Sequence, residues 1–313
     1  MRVSVVIPLY NKGRHIMRAI NSALAQTWSD FELIVVDDGS TDEGAEPVKR
    51  LSDPRIRVIE QANAGVSAAR NRGIAEARAD LIAFLDADDE WRPGFLAVVL
   101  DLAEKYPEAG IYATAYLVCD DAGCTRPQFS HCVSSLEGGL LDDYFLAALG
   151  PAPVWTSVVM VPKRVFDTVG TFPLHLTRGE DLHMWARIAL AFRIAWSPSE
   201  GAIYHLASDN RACNSNELAS DIAVAPIIEE FLRSGADALP SKLHAQEYLA
   251  KGRIALAKSC YLNGKRRWAA ELLGKTSSTV LYTKERRTMM LMMYVPAGLP
   301  RVLLGISGLL HGR

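Results

Sequence analysis

Cysteine is scarce in this chain. Five in 313 residues (Cys119, Cys124, Cys132, Cys213 and Cys260) is an odd, thin set that argues for a reducing compartment over a disulfide framework. Cys119, Cys124, His131 and Cys132 crowd one stretch, yet no CxxC pair occurs there, so they read as small loop thiols and not as a zinc site. No GxGxxG follows the first apolar run and no GxxxxGK[ST] occurs anywhere, which disfavours a dinucleotide-binding fold and a P-loop ATPase. Long apolar runs are missing too. Val3–Ile7 stops at Pro8, too short for a secretory signal. The most apolar later stretch, Met289–Leu310, is broken by Pro296, Gly298, Pro300 and Arg301, where a membrane span needs about 20 unbroken apolar residues. Nor is there an excess of one charge: 34 Lys and Arg against 36 Asp and Glu give a net −2, and no case for nucleic acid.

What is present is a globular composition, 49% hydrophobic and 22% charged, of a length that suggests about two domains. The charge is unevenly placed. From Ser241 onward 13 Lys and Arg face 3 Asp and Glu, an excess of +10 that leaves −12 for the residues before it. Short β-branched runs at Val3–Ile7, Glu32–Val36, Ile56–Ile59, Leu81–Leu85 and Ile111–Val118 alternate with helical patterns at Arg14–Ala25, Val66–Ala77 and Phe95–Tyr106. That alternation predicts an α/β fold with a mostly parallel, doubly wound sheet, whose ligands gather beyond the carboxyl ends of the strands.

Those strand ends are acidic. The first leads into Pro8-Leu9-Tyr10-Asn11-Lys12-Gly13, the second into Asp37-Asp38-Gly39-Ser40-Thr41-Asp42, the fourth into Asp86-Ala87-Asp88-Asp89. Asp42 is accounted for by local capping, with Ser40 and Glu43 spaced as a capping box. Three carboxylates at one strand end exceed what a cap requires, and a divalent cation among them relieves the repulsion.

Taken in order, Val5-Val6-Ile7-Pro8-Leu9-Tyr10-Asn11, Val35 to Asp42, Ala69-Arg70-Asn71, Phe84 to Asp89, and Gly179-Glu180-Asp181 with Trp185 resemble an inverting family-2 glycosyltransferase. The resemblance covers residues 1–216. It implies a GT-A (Rossmann-like) fold, a nucleotide-sugar donor, usually a UDP-sugar, and Mn2+ or Mg2+ as cofactor. It implies that Pro8 and Tyr10 cradle the base, that Asp38 accepts a hydrogen bond from it, and that Arg70 lies at the nucleotide. Asp86 then approaches the ribose and Asp88 holds the metal against the diphosphate. Asp89 completes the acidic cluster, and Asp181 is the base that deprotonates the acceptor hydroxyl. Glu180, its neighbour, points about 100° away on a helix, so only one of the two is expected to face the acceptor. His205 is a candidate metal or phosphate ligand and Arg211 a candidate phosphate contact. Trp155 and Trp185 are candidate sugar-stacking residues on the acceptor side.

Residues 217–313 read as a helical extension, with Tyr248–Tyr261 and Lys265–Leu273 forming a hairpin about Gly264. Basic residues around Lys284-Glu285-Arg286-Arg287, beside the Met- and Leu-rich stretch, suit a helix lying on an anionic membrane surface; packing on protein, or on a second copy in a homo-oligomer, is the rival. The expectation is a cytoplasmic enzyme, peripheral at the inner membrane face. It would move a hexose or N-acetylhexosamine to a glycan or lipid-linked hydroxyl in bacterial surface polysaccharide assembly. A sugar nucleotidyltransferase would need a richer glycine loop after the first strand. A glycan-binding scaffold that had lost catalysis would not be expected to keep Asp38, Asp86, Asp88 and Asp181 together.

Overall fold

The computed structural model describes residues 2–207, 219–234 and 240–294. In chain order the strands are β1 (Val3–Leu9), β2 (Phe31–Asp37), β3 (Ile56–Glu60), β4 (Leu81–Phe84), β5 (Glu90–Trp91), β6 (Ile111–Asp120), β7 (Gly123–Thr125), β8 (Gly139–Leu140), β9 (Val159–Pro162) and β10 (Ile194–His205). The helices are α1 (Ile16–Leu24), α2 (Ala45–Lys49), α3 (Val66–Glu76), α4 (Phe95–Lys105), α5 (Tyr144–Ala147), α6 (Lys163–Val169), α7 (Glu180–Ala191), α8 (Ala225–Arg233), α9 (Lys242–Leu262), α10 (Arg266–Gly274) and α11 (Thr283–Met292).

The strands join one sheet in the order β3-β2-β1-β4-β9-β6-β10-β5, with β7 on β6 and β8 on β10. β1, β2, β3 and β4 pair in parallel, as do β6 and β10. β9 enters antiparallel between β4 and β6, an insertion that its four residues, with no alternation and directly before a helix, did not signal. β10 also went unread, because Pro198 and Gly201 interrupt it; the structure absorbs them in register shifts between Ser197 and Ala202.

Both faces of the central strands are covered, which is why they carry unbroken apolar runs. Val3, Val5, Ile7 and Leu9 of β1 join one core with Ile16, Ala19, Ile20 and Ala23 of α1, while Val6 points into the other with Ile34, Val36 and Ala69. Fully burying one of the Val, Leu or Ile side chains among these stabilises the fold by about 1.5–3 kcal/mol. The second core also takes in Ala245 and Leu249 of α9, so the first half of that helix is welded to the sheet layer. The hairpin of α9 and α10 forms as expected but begins six residues earlier, at Lys242, and with α11 it encloses a satellite core of Cys260, Leu272 and Met289.

Two local expectations fail. Cys119 and Cys124, facing each other in the β6–β7 register, are joined as a disulfide and are not free thiols, and among the described residues no three His, Cys, Asp or Glu are grouped to hold a metal ion. The Ser40–Glu43 capping box does not form. Asp42 instead accepts from the Gly13 and Gly44 amides, and Ser40 Oγ accepts from the Asn11 amide. Among the described residues no helix is long and apolar enough to cross a membrane.

Candidate active site

The chain leaves β3, passes through α3 and returns on the far side of β1 as β4, so the strand order reverses between β1 and β4. Ligand crevices open at such points. β4 ends opposite Val6, and beyond it the two strands part around Pro8. A cavity of about 660 Å³ lies there, lined by Pro8, Tyr10, Lys12, Asp38, Arg70, Asp86, Asp88, Asp89, Trp155, Glu180 and Asp181 among others. That volume is in the range of small-molecule sites. Five separate sequence motifs therefore meet in one cleft.

Each wall is fixed by a distinct set of contacts. Tyr10, 47% exposed, offers an open ring face at the rim. Behind it Asn11, in the left-handed region (φ 51°), accepts from the Thr41 and Asp42 amides and ties the β1 loop to the β2 loop. Asp38 is buried; its carboxylate accepts from Gln61 Nε2 at 2.7 Å and from the amides of Ala64 and Gly65 at 3.0 and 2.8 Å. Those bonds hold the loop that carries Asn63 and Gly65 along the cavity.

The acidic turn after β4 is organised by Ser157, which the stretch Pro153–Ser157 suggested for the acceptor side but which the structure bonds to the turn. Its hydroxyl donates to Asp89 Oδ2 at 2.6 Å and accepts from the Asp86 amide at 3.0 Å. Burial, and then the charges of Asp86 and Asp88, push the Asp89 carboxyl well above the usual range, and its Oδ1 is buried without a hydrogen-bond partner. Arg70, almost fully buried, lies on the cavity wall, its guanidinium donating to Asp86 Oδ1 and Glu180 Oε1, both at 2.9 Å. Burial works against its charge, but the surrounding carboxylates more than offset this and its pKa ends raised. Arg70 is thus a strut between the acidic turn and α7, its guanidinium 5.2 Å from the Phe172 ring centre, and it lies on the cavity lining beside Asp86. Burial also raises Asp86, against the opposing pull of Arg70.

Asp181 sits in the first turn of α7, which starts at Gly179 in a left-handed conformation (φ 70°) that glycine adopts without strain. Its carboxyl is half-buried on the cavity wall and is raised to about 6, by burial first and then by Glu180, with Arg70 opposing. Glu180 and Asp181 both line the cavity. They differ in what they touch: Glu180 is spent on Arg70, while the one hydrogen bond found for Asp181 comes from the Leu182 amide.

Trp185 belongs to the core, fully buried against Phe84 and Phe172, because the inward face of α7 begins one turn below Asp181. Leu182, read as part of that apolar face, is instead partly exposed at the cavity. Trp155 does reach the cavity, flanked by Tyr116 and Tyr204 with ring centres 5.2 and 4.8 Å away, an aromatic wall of which only Trp155 was foreseen. His205 Nε2 pairs with Glu90 at 3.1 Å, and the residue is not among those lining the cavity. Arg211 lies outside the described residues.

Hard carboxylate oxygens suit Mg2+ or Mn2+, so Asp86 and Asp88 on the cavity lining fit such an ion in kind, although among the described residues no three His, Cys, Asp or Glu are grouped to hold one. With two carboxylates, Asp86 and Asp88, to hold it, much of its coordination would fall to substrate phosphates and water.

The family model for glycosyl transferase family 2 matches residues 4–139. A Nostoc protein named an uncharacterized glycosyltransferase is 43% identical over 145 residues, 44% of this chain and 45% of that one, so the chain spans less than half its length. The succinoglycan biosynthesis protein ExoO of Rhizobium meliloti is 33% identical over 266 residues, 77% of this chain and 71% of the relative. Among solved structures, Staphylococcus aureus TarS in complex with UDP-GlcNAc superposes with a TM-score of 0.72 over 94% of this chain and 89% of that one, at 17% identity. The mannosyltransferase PcManGT of Pyrobaculum calidifontis, in complex with GDP-Man and Mn2+, gives 0.59 over 93% and 84%, at 21%. The two structures carry the fold alone, which is GT-A. The sequence relatives carry more: the chain belongs to glycosyl transferase family 2.

Proposed function

We propose that the protein is an inverting hexosyl- or N-acetylhexosaminyltransferase using a UDP-sugar and a divalent cation, acting on a glycan or lipid-linked hydroxyl in surface polysaccharide assembly. One observation carries the reading: a half-buried carboxyl raised to about 6, Asp181, shares one cavity with the acidic turn of Asp86 and Asp88. Inversion needs a single displacement, with a base on one side of the anomeric carbon and a stabilised leaving group on the other. Asp181 takes the acceptor proton at its carboxylate oxygen, and a pKa near 6 leaves it ionised yet basic at neutral pH. The cation, when bound, screens the charge that grows on the departing diphosphate. Asp88 and Asp86 would hold it, and Arg70 keeps Asp86 in place.

Tyr10 and Pro8 form the platform for the base. The Asp38 carboxylate has about four acceptor positions and the protein fills three, which leaves one for a donor on the base such as a uracil N–H. The names of relatives and fold neighbours, which include a succinoglycan biosynthesis protein and complexes with UDP-GlcNAc and GDP-Man, support a polysaccharide setting and a nucleotide-sugar donor. We take the aromatic wall at Trp155 as the acceptor side, residues 1–216 as the catalytic unit and residues 217–313 as its helical extension. His205, held by Glu90, and Arg211 remain candidate phosphate-side residues.

A thermal-shift screen of nucleotide sugars with Mn2+ tests the donor, since a ligand that binds only the folded chain raises its Tm. UDP-sugars are expected to shift Tm and GDP-sugars not; the reverse would end the UDP assignment. Replacing Asp181→Asn should lower turnover by about 10²–10⁴-fold while leaving UDP binding intact, and an unchanged rate would remove Asp181 from the mechanism. For the membrane, exposed Lys284 and Arg287 stand beside exposed Leu281, Leu291 and Tyr294. In liposome flotation with anionic vesicles, wild type should float and K284Q/R287Q should not; equal recovery of both in the soluble fraction rejects membrane docking.

A further inference from the structure

The acidic turn carries its own cation. Lys12 Nζ lies 2.7 Å from Asp88 Oδ2, both side chains mostly buried at 13% and 19% exposure, and the Arg18 guanidinium donates to the Asp88 carbonyl. The backbone of Lys12 is pinned, since its carbonyl accepts from the His15 and Ile16 amides at the start of α1. On its flexible four-carbon stem Lys12 lines the same cavity as Tyr10 and the acidic turn. A diphosphate must cross from one to the other if a base lies on Tyr10 and a cation on Asp88. An ammonium and a divalent cation repel at the spacing set by one carboxylate.

We propose that Lys12 is an exchangeable counter-ion of Asp88: it neutralises the carboxylate in the empty cavity, yields it to the divalent cation, and swings to the donor's diphosphate. The second half rests on the nucleotide-sugar reading; the first does not. An ammonium on a flexible stem is an effective phosphate ligand as a point charge, so the same group serves both states. The exchange also leaves the turn charge-compensated in both states, which spares the empty enzyme a cluster of buried, mutually repelling carboxylates.

Titration of the full chain with Mn2+ alone, followed by the electron spin resonance of free Mn2+, tests the exchange without any nucleotide. K12M should bind Mn2+ about tenfold more tightly than wild type, and K12Q, which keeps a hydrogen-bond donor but no charge, should move the same way. Equal or weaker Mn2+ binding by these variants overturns the proposal, because a lysine that merely positions Asp88 predicts that result; so does an absence of Mn2+ binding in all three. Inorganic pyrophosphate at saturating Mn2+ tests the second state. K12M should lose about tenfold in affinity and K12R should keep most of it, whereas unchanged affinity in K12M overturns the swing to phosphate. If the UDP assignment is wrong, UDP-sugars fail in the thermal screen while both of these titrations still report on Lys12.

Discussion

At the scale of single residues, the site works by giving similar carboxyls different surroundings. Asp38 accepts three protein hydrogen bonds, Asp89 is buried under one serine hydroxyl, Glu180 is bound to Arg70, and Asp181 faces the cavity. Only the last combines access with a pKa suited to proton removal, about 6. The base must be ionised to work, so activity is present above that value and lost as pH falls through it. The pH profile of kcat/KM for the wild type should show an acid limb with an apparent pKa about 6, and the residual activity of D181N should lack it. A wild-type profile flat from pH 5 to pH 8 would assign the base elsewhere. The motif residues were legible because the chemistry demands their types at strand ends. Tyr116 was not, nor was the bond of Ser157 to the acidic turn, since a tyrosine in a strand carries no mark of the cavity it meets and a hydroxyl no mark of its partner.

At the scale of elements, α3 and α7 are the two supports of the cleft, and their placement depends on glycine. Gly73 lies where α3 crosses β1; a Cβ there would stand 2.3 Å from Val6 Cγ1 and 2.9 Å from Cγ2. G73A should therefore destabilise the protein by about 1–3 kcal/mol and weaken donor binding, because Arg70 lies on the same helix. The double variant V6A/G73A should recover part of the lost Tm, which calorimetry of the four proteins would measure. If G73A melts with wild type, α3 does not sit as close as described. Helix α1 was legible in full, since Ile16, Ala19, Ile20 and Ala23 all turn inward as their spacing requires. Helix α7 misled in its first turn. Its periodicity identifies the inward face but not how far along the axis the neighbouring layer extends, so Leu182 ends at the cavity and Trp185 in the core.

At the scale of the whole molecule, the helical extension is not an appendage. α9 contributes Leu249 and Ala245 to the core that backs the sheet and Ala257 and Cys260 to the satellite core, and buried Arg253 pairs with Asp221 and Glu229. Leu249→Ala should cost about 2–5 kcal/mol and lower a single cooperative transition for the whole chain. Two separate melting steps, with the catalytic part unshifted, would show the extension to fold on its own.

Composition and order of residues determined the alternating α/β elements, the apolar faces of α1 and the central strands, and which acidic clusters end up at one sheet edge. They did so because side-chain periodicity and the crossover rule act locally or between successive elements. Strand β9, the Arg70 strut, the Lys12–Asp88 pair, the Ser157 hinge of the acidic turn and the Cys119–Cys124 bond were decided by tertiary structure alone. Each depends on the distance between segments remote in the chain or on which way a hairpin folds, and neither quantity is set until the sheet has closed.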